Sequence, residues 1–303
     1  MQAAQLIRAA YFHRHKNFTY FKNNLSITAL IIESTPCYNI NMKNYHTHTV
    51  RCRHAFGKDR DYVTKAIKAG ITELGFSDHA PMLFPTENYY SSYRMFPNEL
   101  DDYINSVNLL RNEYRDKIKI HIGFELEYFP EIFDKTVKWL ENKGGEYFIL
   151  GQHFTDNEYE PYAHYCGRMT DSTELFDKYI NQAIDGLKTG KFLYIAHPDL
   201  FRYTGPDDIY NEKMTFFCRE IKKLGFPVEF NLLGFAQHRN YPDKRFWKIA
   251  SEIGNDAVIG FDAHSPEVFQ NKRIYKDALK YLKNLNITPI EIDINNESFK
   301  KTD

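Results

Sequence analysis

The chain has too few cysteines for a disulfide framework, and they are too irregularly placed. Cys37, Cys52, Cys166 and Cys218 form no CxxC pair and share no spacing, which points to reduced thiols in a cytoplasmic setting. No apolar run approaches the roughly 18–20 residues that a membrane span needs. Neither charge is in surplus: 39 Lys and Arg against 40 Asp and Glu give a formal net charge of -1, which removes the electrostatic reason to expect a nucleic-acid partner. Internal repeats and low-complexity tracts are lacking. Glycine is absent from residues 1–41, which carry Arg8, Arg14, Lys16 and Lys22 against the single acid Glu33. Their apolar stretch Leu25–Ile32 is too short to cross a bilayer and has no convincing cleavage site after it. These residues read as an extension outside the fold, and the basic, acid-poor composition also suits a transit peptide. The fold is expected to begin at Met42 and to occupy 42–303.

What is present is a regular alternation. Short β-rich runs are expected at Tyr45–His48, Glu73–Ser77, Ile118–Glu125, Tyr147–Gln152, Phe192–Ala196, Val228–Asn231, Ala257–Phe261 and Pro289–Ile292. Amphipathic segments lie between them. Leu100, Tyr103, Ile104, Val107 and Leu110 recur at helical spacing behind a candidate cap, Asn98. Leu175, Phe176, Tyr179, Ile180, Ala183 and Leu187 form a second apolar face, closed by Gly190, and further helices end at Gly70, Gly225 and Gly254. Repeated strand–helix alternation implies an α/β fold with a parallel sheet, closed into a TIM-like barrel.

Seven of the twelve histidines fall at or near the ends of these runs, in "NYHTHT" (His46, His48), "CRHAFG" (His54), "GFSDHAP" (His79), "LGQHF" (His153), "YIAHPD" (His197) and "GFDAHSP" (His264, with Asp262). Glu125 and Glu127 sit on the strand "GFELEY". One carboxylate can bridge two cations through its two oxygens, and Glu125 is the choice for this, with Glu127 either supporting a ligand from behind or a solvated surface residue. Imidazole and carboxylate are the ligand set of zinc, manganese and iron, and one ion needs only three or four of them, so a set this large implies two or three ions in one cavity. The C-terminal ends of barrel strands are where such folds build active sites. Residues two apart on an extended strand share a face, which pairs His46 with His48 and Asp262 with His264. Asp78 and Asp199 adjoin ligand candidates and suit an orienting role. Cys52 reads as a bystander thiol. His13, His15, His121, His164 and His238 lack this context; of these His164 is expected nearest the site.

The order His-x-His, a further His, "DH", Gly-x-Glu, a strand-end His, "HPD" and "DAH" resembles the PHP (polymerase and histidinol phosphatase) superfamily over about residues 42–303. The runs "FSDHAPM", "GFELEYFP", "IAHPDLFR", "EFNLLGF" and "DAHSP" are similar to its stand-alone histidinol-phosphate phosphatases. The resemblance implies a distorted (β/α)7 barrel with a trinuclear centre. It implies a first ion on His46, His48, Glu125 and Asp262, a second on Glu125, His153 and His197, and a third on His54, His79 and His264.

The chemistry implied is hydrolysis of a small phosphate monoester, L-histidinol phosphate, in histidine biosynthesis. Divalent ions bring the pKa of water from about 15.7 to about 7. Positioning and charge neutralisation carry most of phosphoryl transfer, so no nucleophilic side chain is needed. Asp262 or His264 would protonate the leaving alkoxide, and Arg202, Arg239 or Arg168 would clasp the phosphate with a guanidinium fork. The long, aromatic segment 80–97 would wall the substrate pocket or cover the barrel mouth. Two other readings are a PHP phosphoesterase acting on nucleotides or oligonucleotides, and a non-catalytic metal-binding domain. The first is opposed by the neutral charge, the second by a ligand set larger than a closed four-ligand site requires.

Overall fold

The computed structural model describes residues 42–86 and 89–294; the expected leader, residues 1–41, lies outside them. Seven parallel strands form one sheet in the order β1 (Met42–Asn44), β2 (Ile71–His79), β3 (Lys119–Leu126), β4 (Tyr147–Leu150), β7 (Phe192–Ile195), β8 (Val228–Asn231) and β9 (Ala257–Gly260). A small antiparallel hairpin, β5 (Phe154–Thr155) and β6 (His164–Tyr165), leaves the barrel after β4. The helices are α1 (Asp59–Ala69), α2 (Leu100–Tyr114), α3 (Phe133–Asn142), α4 (Thr173–Lys188), α5 (Asp207–Leu224), α6 (Leu232–Gln237), α7 (Lys244–Ile253) and α8 (Lys272–Asn284). This is the distorted (β/α)7 barrel expected. Among the described residues no helix is long and apolar enough to cross a membrane.

The strands are apolar on both faces because helices cover the outside and side chains fill the inside. The outer core packs helix residues such as Tyr103, Phe176, Phe217 and Trp247 against Phe76, Phe124 and Phe230 of the sheet. A second cluster of Tyr45, Tyr147, Ile149, Tyr194, Ala196, Val258 and Ile292 is separate from it. Its tyrosines reach backbone partners: the Tyr147 hydroxyl donates to the carbonyls of Tyr45 (3.0 Å) and Phe76 (3.1 Å).

How the sheet closes corrects two expectations. Residues 45–48 are not a continuous strand. Beyond β1 the chain meets the segment after β9 through His48 N to Ala263 O (3.0 Å) and Ala263 N to His46 O (3.1 Å), with Thr47 bridging Ala263. The segment 289–292 is not a strand either. Pro289 has no amide hydrogen to donate, and Ile290 N gives a single bond to Ala257 O (2.8 Å). The segment instead fills the seam near the start of β1, where Ile292 O accepts from Lys43 Nζ (3.3 Å) and the Tyr45 hydroxyl (3.2 Å).

The helix boundaries follow the expected signals with one exception. Gly70, Gly225 and Gly254 end α1, α5 and α7 with φ of 90°, 78° and 77°, and Gly190 follows α4. Asn98, however, is no cap. It lies inside a 3-10 turn, Pro97–Glu99. Glu99 directly precedes α2 but makes no side-chain bond to the helix, its carboxylate accepting instead from Phe96 N at 2.8 Å at the start of the turn.

Candidate metal centre

The closure of the barrel brings the first and last motifs together. His46 and His48 leave β1 on one face, Asp262 and His264 follow β9, and Glu125 sits near the end of β3. His46 Nε2 lies 3.4 Å from Glu125 Oε2 and 3.5 Å from Asp262 Oδ1; His48 Nε2 lies 3.4 Å and 3.1 Å from the same two oxygens. All four atoms are buried and none has a hydrogen-bond partner. Ligands placed tetrahedrally at ~2.0–2.1 Å from one cation stand about 3.3–3.4 Å apart. Most buried polar atoms are paired. Unpaired ones elsewhere in the barrel, such as Thr136 Oγ1 and the Tyr203 hydroxyl, belong to no such group of four, whereas four orphans facing one another at this spacing fit a cation.

Glu125 turns its two oxygens to different partners. Oε2 faces His46, His48 and, at 3.1 Å, His79 Nδ1. Oε1 faces His197 Nε2 at 2.8 Å and His153 Nε2 at 3.4 Å. A carboxylate in this position can bridge two ions. Gly151 makes the approach possible, since a Cβ there would stand 2.0 Å from Glu125 Oε1. A third corner is formed by His54 and His264, whose Nε2 atoms are 2.8 Å apart, with His79 beside them. All nine candidate ligands therefore share one rim.

Backbone and electrostatics agree with this. His197 and Asp262 have φ of 31° and 49°, a region that non-glycine residues enter at a cost and that concentrates at functional sites. Burial opposes charge on Glu125, yet His153, His79 and His46 outweigh it and hold the carboxyl well below the usual carboxylate range. Burial likewise opposes charge on Asp262, and His46 and His264 hold it low. Burial depresses His46, but Glu229, Asp262 and Glu125 overcome this and push it up to about 10. The pocket is made for positive charge at its centre.

The profile of the PHP domain matches residues 44–232, more than half of the chain. The chain belongs to the PHP domain family. Asp262 and His264 lie beyond the matched span, and barrel closure brings them to it. Among curated relatives, the "Probable histidinol-phosphatase" of Deinococcus radiodurans is 27% identical over 73% of this chain and 85% of its own length. The protein of the same name from Schizosaccharomyces pombe is 27% identical over 81% of this chain and 87% of its own. Among solved structures, a histidinol phosphate phosphatase from Lactococcus lactis subsp. lactis, complexed with zinc, L-histidinol and phosphate, superposes with a TM-score of 0.62. At 20% identity it covers 82% of this chain and 95% of that one, a likeness of fold.

Around the PHP centre lies a layer that includes two residues for which the sequence analysis has no role, Glu229 and Asn231. Glu229 and Asn231 face inward from β8. Glu229 Oε1 accepts from His46 Nδ1 at 2.7 Å, and its Oε2 accepts from His197 N (3.1 Å) and Asn231 Nδ2 (3.0 Å). Asn231 Nδ2 also donates to Asp262 Oδ2 at 3.0 Å. The signal was available: two polar residues at period two in "VEFN" interrupt a strand that should be apolar throughout. Glu127 is no surface residue, being 1% exposed, and it accepts from His153 Nδ1 at 2.9 Å. Asp78 Oδ1 stands 3.5 Å from His48 Nδ1, which has no hydrogen-bond partner, and Asp78 instead accepts from the backbone N–H groups of Thr49 (3.2 Å) and His79 (2.8 Å). Asp199 accepts from Asp243 N at 2.6 Å. Cys52 is within reach of His48 and His264, but burial and then Asp78 push its thiol up, which disfavours the thiolate that a metal would need.

The remaining candidates sit as follows. Arg239 donates to the Tyr241 hydroxyl at 2.7 Å, and the Tyr241 ring stands 5.6 Å from that of His197, which links the guanidinium to the edge of the centre. Arg202 and Arg168 are exposed. Their loops are joined by Arg202 N to Cys166 O (2.8 Å) and Thr170 N to Arg202 O (3.1 Å). His164 packs on Phe201 and belongs to no ligand group among the described residues. His121 lies on the opposite half of β3, 3.2 Å from Glu73. In segment 80–97, Phe84 and Tyr89 pack on each other and on Tyr159, an aromatic pad beside the mouth.

Proposed function

We propose that this PHP protein is a metal-dependent phosphomonoesterase that releases phosphate from L-histidinol phosphate, and that residues 42–303 carry the activity. The observation that carries the metal-dependent chemistry is the set of four unpartnered buried atoms of His46, His48, Glu125 and Asp262. The substrate follows from the names of the relatives and from the ligands of the Lactococcus lactis protein. His46, His48, Glu125 and Asp262 would hold one divalent ion, Glu125, His153 and His197 a second, and His54, His79 and His264 a third. Zinc, manganese and iron all suit this mixed donor set.

Bound ions would supply acidified water and offset the charge of the phosphate. The chain's own groups do the rest. Glu125 holds two ligand sets at a fixed separation through its two oxygens. Arg239, braced by Tyr241, would take a phosphate oxygen, with Arg202 or Arg168 as the other candidates for that role. Asp262 or His264 would give the leaving alkoxide its proton, from an atom that holds no ion. The near-neutral charge suits a small substrate rather than nucleic acid, and the free thiols Cys52, Cys166 and Cys218 suit a cytoplasmic location.

The test is a phosphate-release panel of histidinol phosphate, other amino-alcohol and sugar phosphates, and short oligonucleotides. Selective hydrolysis of histidinol phosphate is expected. Turnover of the oligonucleotides alone would overturn the reading.

A further inference from the structure

Arg94, in the segment that follows β2, is 2% exposed, the most deeply buried Lys or Arg among the described residues. Its Nη1 and Nη2 form a fork on Glu127, at 3.0 Å to Oε2 and 2.8 Å to Oε1. Its Nε donates to Glu158 Oε2 at 2.7 Å, Nη2 also contacts that oxygen, and Nη1 donates to Ala80 O at 3.1 Å. Glu158 lies in the β5–β6 loop, and its other oxygen accepts from the Tyr89 hydroxyl at 2.8 Å. Glu127 in turn accepts from His153 Nδ1 at 2.9 Å, which leaves His153 Nε2 facing Glu125 Oε1.

We propose that Arg94 is a positioning residue that couples the seating of the two mouth loops to the orientation of the metal-ligand candidate His153. The inference rests on the metal-centre reading given above. Its physical basis is that a guanidinium fork fixes the plane of Glu127 as a point charge cannot. The Glu127 plane then sets both the tautomer and the tilt of the imidazole. Glu158 completes the coupling: two buried carboxylates share one cation, so loosening the loop at Glu158 shifts Arg94 against Glu127 and is felt at His153, which Glu158 does not touch.

The test uses the full chain loaded with zinc and follows zinc release to a chelating dye, alongside circular dichroism and thermal melting. Arg94→Met leaves two buried acids without a cation and is open to misfolding, so Arg94→Lys and Glu158→Gln are the informative variants. Each is expected to remain folded and to release its most labile zinc about tenfold faster than wild type, the scale on which groups behind metal ligands act. The double variant R94K/E158Q is expected to be no faster than R94K, since both act through one fork. Wild-type release rates in both single variants, with only their melting temperatures lowered, would make Arg94 a loop staple and overturn the proposal. Wild-type protein that binds no zinc would overturn the metal centre along with it.

Discussion

The two ends of the barrel bury polar groups in opposite ways. At the end where β1 and β2 begin, Tyr45 donates to Glu73 at 3.0 Å, Lys43 and His121 face the same carboxylate at 3.1 and 3.2 Å, and Ile292 O also accepts from Lys43 Nζ and the Tyr45 hydroxyl. At the mouth, His46 Nε2, His48 Nε2, Glu125 Oε2 and Asp262 Oδ1 have no such partners and face one another. The first arrangement is complete as it stands and does structural work. The second is complete only with a cation at its centre. A buried polar group alone therefore says little about function. Whether its hydrogen-bonding capacity is already spent says much more.

Substitutions at the two ends should separate these roles. The largest effect is expected at the mouth: His197→Ala or Asp262→Asn should lower phosphate release by about 10³-fold or more, the scale of a well-placed electrostatic group, with circular dichroism unchanged. Near-wild-type activity in metal-stripped, repurified variant would break the comparison. Removing metal with a chelator should abolish activity and lower thermal stability reversibly. An ion present at about a thousand times its Kd adds about 4 kcal/mol, and the melting curve with and without added zinc checks this. Glu229→Gln should cost about 10- to 100-fold in metal affinity or activity, read by titration of the metal-free protein. It touches His46 and the His197 backbone but is not itself a ligand candidate. The smallest effect is expected at the opposite end, where Tyr45→Phe should lose about 1–2 kcal/mol of stability in urea unfolding and leave kcat and KM unchanged.

The same contrast explains what could be read from the sequence. The strand-end motifs carried their own geometry, because His46 with His48 and Asp262 with His264 share a face by period alone, and barrel topology brings strand ends to one rim. Glu125 could be chosen over Glu127 as the bridging acid, but not that Glu127 is buried against His153 and Arg94; that depends on loops from β2 and from β5–β6, whose contacts no local pattern encodes. Glu229 and Asn231 were legible in principle, as polar interruptions of a buried strand, but their partners lie beyond β1, β7 and β9. Pro289–Ile292 has strand composition yet fills a seam, because the closure of seven strands leaves it only one backbone bond to β9. Asn98 caps nothing because Pro97 opens a 3-10 turn ahead of the helix and takes Asn98 into it.

The most direct test of the metal centre is anomalous X-ray diffraction from crystals of the freshly purified protein, collected on both sides of the zinc, iron and manganese edges. The account predicts an anomalous peak within about 2.0–2.2 Å of His46 Nε2, His48 Nε2, Glu125 Oε2 and Asp262 Oδ1, and at least one more on the far side of Glu125 toward His153 and His197. A map without anomalous density at that rim, from protein that still hydrolyses histidinol phosphate, would contradict it.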